Sequence, residues 1–210
     1  MQKTLIDLKY SFYLSVHPLK GFWELKHENQ TGTFSAAIIV ALVALFTAIT
    51  KKWTAYLFNP VDPVSVSVVR ETFIILLLYF SFCVTNWCLT TLFDGEGRFK
   101  DICISTAYAL TPFLLSMIAI IPISYILSLR EASIYTFISG LGIAWSALLI
   151  FTGTLVTHQY TFAKTIVMLI SIAIGLFVLA YVYLLFFSLI QQVGGFIIVV
   201  YRELTLRFYS

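Results

Sequence analysis

The placement of charge constrains this chain more than any other feature. Seven charged residues fall in 1–33, five in 51–71 and five in 94–101. Two more are Arg130 and Glu131, one is Lys164, and three lie in 202–207. The runs 34–50, 72–93, 102–129, 132–163 and 165–201 carry none. A hydrocarbon core ~30 Å thick is crossed by about 20 apolar helical residues, and a charge at its centre costs a few kcal/mol. The chain therefore reads as a polytopic membrane protein. Composition agrees: 60% of the residues are hydrophobic and 11% charged, against about 25% charged in soluble domains. A net charge of +3 spread along the chain leaves no footprint for a nucleic-acid partner.

The pattern predicts an all-α fold, a five-helix transmembrane bundle with spans near 34–52, 72–93, 102–128, 131–157 and 164–190. Residues 1–33 form an amphipathic segment in which Leu5, Leu8, Phe12, Leu14, Phe22, Trp23 and Leu25 alternate with lysines and carboxylates. It either lies along the lipid headgroups or packs on the bundle. The same early charges predict that no cleavable leader precedes the first span. Thr33 is the expected N-cap of that span, and Lys51, Lys52 and Trp53 mark its far boundary. Asp62 followed by Pro63 predicts the start of the second helix. Pro112 and Pro122 predict kinks in the third span. Ser128 and Glu131 have capping-box spacing, which turns the chain tightly into the fourth. The last charge-free run is too long for one crossing. Gln191, Gln192, Gly194 and Gly195 divide it into a fifth span and an interfacial helix over 193–208.

Lysines and arginines are nearly balanced between the two sides, but four lysines precede the first span. Early basic residues usually dominate orientation, so a cytoplasmic N-terminus is expected. The 94–101 loop and His158 would then share that face, with His158 in the loop before Lys164.

Chemistry is sparse. Asn86, Thr90 and Asp94 recur every four residues and run into Gly95-Glu96-Gly97-Arg98-Phe99-Lys100. Such a stripe either hydrogen-bonds a neighbouring helix or lines a partner-docking or ligand groove. The glycines, at 95 or 97, are placed to adopt positive φ. On the fourth span Ala132, Thr136, Gly140 and Ala144 predict a small-residue packing face. Cys83, Cys88 and Cys103 read as buried apolar thiols. His17, His27 and His158 are scattered without metal-ligand spacing. No nucleophile elbow or phosphate-binding loop is present. No ionisable residue lies mid-span, where a carrier would need one. No catalytic residue, metal or cofactor is expected.

The run Asn86-Trp87 … Thr91-Leu92 … Asp94-Gly95-Glu96-Gly97 … Phe99-Lys100-Asp101-Ile102 resembles the signature of bacterial Yip-domain proteins. These are named after the Ypt/Rab-interacting proteins of eukaryotes. Ala107-Tyr108-Ala109-Leu110-Thr111-Pro112, Glu131, His17-Pro18 … Gly21-Phe22-Trp23-Glu24-Leu25-Lys26, Gln191-Gln192 and Glu203 fit the same pattern. The resemblance implies five spans, a cytoplasmic N-terminus, a bacterial plasma-membrane location and no established catalysis. Eukaryotic relatives act in vesicle traffic and membrane shaping and bind prenylated Rab GTPases, and many carry a long cytoplasmic N-terminal domain that this chain lacks. What it implies here is a scaffold or partner-binding subunit in membrane organisation. The alternative is an accessory subunit of a transport or lipid-handling complex, for example with an ABC-type transporter. Its partners would be the lipid bilayer and a membrane protein or a second copy of the chain.

Overall fold

The structure, a computed structural model, describes residues 2–28, 32–59, 62 and 64–209. Eight helices carry the fold, with no strand among the described residues. Two short ones, α1 (Gln2–Val16) and α2 (Pro18–His27), precede α3 (Thr33–Trp53) and α4 (Val68–Leu92). The next span is broken into α5 (Phe99–Ala109) and α6 (Thr111–Ile126), and α7 (Ala132–His158) and α8 (Phe162–Tyr209) follow. Five helical stretches among the described residues are long and apolar enough to cross a membrane, α5 and α6 counting as one. The expected five-span all-helical fold is therefore the observed one.

The helix boundaries show where local chemistry decided. α3 is capped by Gly32, one residue before the expected Thr33. Its last turn carries Lys51 and Lys52, which suit the negative end of the helix dipole. Lys51 Nζ reaches Glu71 Oε2 on α4 at 2.7 Å, tying the end of the first span to the start of the second. α4 starts later than expected. Asp62 does not cap it but closes a turn, its carboxylate accepting from the Val64 N–H at 3.1 Å. Ser67 is the cap, accepting from the Arg70 N–H. Pro63 lies outside the described residues. The third span breaks at Leu110, just before Pro112. Pro112 offers no N–H to the carbonyl four residues back and crowds it. That carbonyl belongs to Tyr108 and accepts instead from the Thr111 hydroxyl at 2.8 Å. Before α7, Ser128 donates its N–H and its hydroxyl to Glu131, both at 3.0 Å, so the expected capping box forms.

Of the two readings of the N-terminal segment, packing on the bundle is the one observed. α1 and α2 form a helical hairpin that buries Leu14 and Phe22 completely or nearly so. Tyr10 donates its hydroxyl to the Gly21 carbonyl at 2.8 Å, holding the two arms together. A Cβ on Gly21 would sit 3.0 Å from Leu14 Cα, so glycine permits the close crossing. At one end Asp7 accepts from the Ser35 hydroxyl at 2.7 Å. At the tip the Ser15 carbonyl accepts from Trp145 Nε1 at 3.0 Å, midway along α7.

The packing face of α7 is not the predicted one. Thr136, Gly140 and Ala144 are exposed and Ala132 only half-buried, and nothing approaches Gly140 within 4 Å. The helix instead buries Gly142, Ser146, Leu149 and Gly153. Gly142 lies directly against Ser116 of α6, and Ser146 accepts from the Phe113 N–H at 3.0 Å. α8 is also unlike the expectation: it runs unbroken for 48 residues through Gln191–Gly195. Glycine costs about 1 kcal/mol in a helix but does not end one without turn-forming neighbours. Residues 193–208 are thus a continuation of α8, not a separate interfacial helix.

Candidate functional site

The turn after α4 is built by an unusual division of labour. Asp94, and no glycine among the described residues, takes the positive φ, at 54°. Aspartate tolerates this left-handed conformation better than most residues. The Gly95 N–H folds back onto the Thr90 carbonyl at 2.8 Å, closing the helix end. The glycines serve close approach instead. A Cβ on Gly95 would lie 2.7 Å from His158 Nδ1 and 2.6 Å from the Tyr160 hydroxyl. One on Gly97 would lie 2.7 Å from His158 Cε1. Both contacts are tighter than side chains accept, so the turn is pressed onto the end of α7.

His158 is the centre of the site, and sequence reasoning misplaced it in a loop. It is the last residue of α7 and 2% exposed. Its Nδ1 accepts from the Gly97 N–H at 3.3 Å, and its ring stacks on Tyr160 with centroids 5.3 Å apart. The Tyr160 hydroxyl donates to the Phe93 carbonyl at 3.2 Å. Burial, then the negative charge of Asp94, raises that phenol above its ordinary pKa. Lys164 lies over the Tyr160 ring at 4.5 Å, a cation–π contact.

The predicted stripe divides at this turn. Asn86 and Thr90 are buried in the bundle, 2% and 1% exposed, and Thr90 donates its hydroxyl to the Asn86 carbonyl at 2.7 Å. Asp94, beyond the end of α4, is exposed, as are Glu96, Arg98 and Lys100. The Arg98 N–H donates to Asp101 Oδ2 at 3.3 Å and starts α5. Lys26 of α2, absent from the predicted site, pairs with Glu96 across 3.5 Å while its side chain is 14% exposed. The result is a charged edge of Asp94, Glu96, Arg98 and Lys100, mounted on a rigid buried base and clamped to the N-terminal hairpin. Beneath the turn lies a cavity of about 10 Å³ bounded by Asn86, Ser105, Thr154 and His158. Among the described residues, no three His, Cys, Asp or Glu side chains come together as a metal site.

The Yip1 domain matches the chain over residues 12–200, from within α1 into the far part of α8. The chain belongs to the Yip1 domain family. The match takes in the end of α1, all of α2, the glycine turn, four spans whole and most of the fifth in this Yip1 protein. Yip1 proteins are multi-pass membrane proteins associated with trafficking, and the family is in general non-enzymatic. No curated protein and no solved structure matches the chain.

Proposed function

We propose that this Yip1 protein is a non-catalytic scaffold or partner-binding subunit that offers its glycine-turn edge to a partner on the cytoplasmic side of a membrane. One observation carries the reading. Four charged side chains, Asp94, Glu96, Arg98 and Lys100, stand exposed on a turn whose backbone is hydrogen-bonded from below by His158 and Tyr160. A rigid mount lowers the ordering cost of binding, and exposed charges of both signs favour selection of a complementary surface. The Lys26–Glu96 pair adds the N-terminal hairpin to the same edge.

The test is recovery of partners in mild detergent, quantified by mass spectrometry. Asp94→Asn keeps a residue that tolerates positive φ while removing the charge. Together with charge reversal at Arg98 and Lys100 it should reduce recovery of specifically copurified membrane proteins at least several-fold, with the melting temperature unchanged. Undiminished recovery from the folded variant would sink the docking role. A transport ATPase among the lost partners would favour the accessory-subunit form of this function.

A further inference from the structure

Two polar atoms beneath the glycine turn have no hydrogen-bond partner, although both residues are 2% exposed: Asn86 Oδ1 and His158 Nε2. They belong to different helices, α4 and α7, and both line the same cavity of about 10 Å³. A buried donor or acceptor left unmade is disfavoured, so two that line the same small cavity call for an occupant.

The chemistry of that occupant follows from the tautomer. His158 Nδ1 accepts from the Gly97 N–H, so in the neutral ring the proton sits on Nε2. The cavity therefore presents one donor, Nε2–H, and one acceptor, Asn86 Oδ1. The ligand must accept from one and donate to the other. The volume admits roughly one water and is too small for a headgroup or a hydrated ion. Lys26 lies near enough to act electrostatically on His158, which opposes a cation. The amide oxygen of Asn86 opposes an anion. We propose that this cavity is a binding site for a single water molecule that accepts from His158 Nε2–H and donates to Asn86 Oδ1. Its second hydrogen is left for the hydroxyl oxygen of Ser105, Thr154 or Thr157, which share the lining. The water joins α4 to α7 directly under the exposed turn and fixes His158 in the tautomer that holds Gly97.

The protein has three histidines, so ¹⁵N-histidine labelling of the full chain in lipid nanodiscs at neutral pH resolves the site, with His158→Asn assigning its signals. The expected result is a His158 ring protonated at Nε2, with magnetisation transfer from a bound water to that proton. Asn86→Leu, which removes the acceptor and fills the space, should reduce the transfer at least tenfold. Wild-type protein alone decides the matter if that variant does not fold. A ring protonated at Nδ1, or an Nε2–H without transfer from water, overturns the proposal. So does a shift of the His158 signals when chloride replaces acetate, which would assign the site to an anion.

Discussion

At the scale of single residues, Asp94 and the two glycines after it show how one short turn meets two demands. The left-handed position falls on an aspartate, and the positions that touch another helix fall on glycines. The ring packed against them links this turn to pH. The Tyr160 phenol is raised by burial first and by the Asp94 charge second. A phenol whose folded pKa exceeds its unfolded value of ~10 contributes stability that is fully present below that pH and lost as pH rises from there through the folded pKa. Melting temperature measured in detergent should therefore fall above about pH 10, and Tyr160→Phe should fall less steeply. An identical decline in the two proteins would remove Tyr160 from this account.

Among the helices, α7 offers the sharpest contrast between spacing and contact. Glycine or another small residue recurs every four positions at 140 and 144, and again at 142 and 146. Only the second set meets a neighbour, at Ser116 and Phe113. Gly142→Ala should destabilise the protein by about 1–3 kcal/mol through overpacking. Gly140→Ala should be neutral or stabilising by up to about 1 kcal/mol, because a helical glycine gives way to alanine where space is open. Thermal unfolding of the two variants in the same detergent checks the pair, and equal losses would contradict the assignment. What the sequence made legible follows from the same physics. Charge-free runs located all five spans because charge exclusion acts on each helix separately. Ser128 and Glu131 were legible because a capping box is complete within four residues. The rotational setting of α7 was not, since a membrane helix is apolar on every side. Nor was the pairing of Lys26 with Glu96, or the burial of His158 under Gly97, because these contacts join segments tens of residues apart with no local pattern between them.

For the molecule as a whole, orientation is the property from which the proposed role depends. The hairpin, the 94–98 turn and the end of α7 meet at one side, so a single measurement orients all three. In a cysteine-free background, Thr161→Cys in the α7–α8 connection should resist a membrane-impermeant maleimide in intact cells. Tyr56→Cys, in the 87% exposed position after α3, should react. The reverse pattern would place the glycine turn outside and withdraw the cytoplasmic docking role. The hairpin also gives the molecule a schedule. Ser15 is anchored to Trp145, 130 positions later in the chain, and ribosomes add ~5–20 residues per second, so the partner arrives roughly six to twenty-six seconds after the hairpin does. The first helices made can meet α3 early, through Asp7 and Ser35, but complete their packing only once α7 has been made. A bulky fusion at the amino terminus interferes at that late step, so the protein is better tagged at its other end.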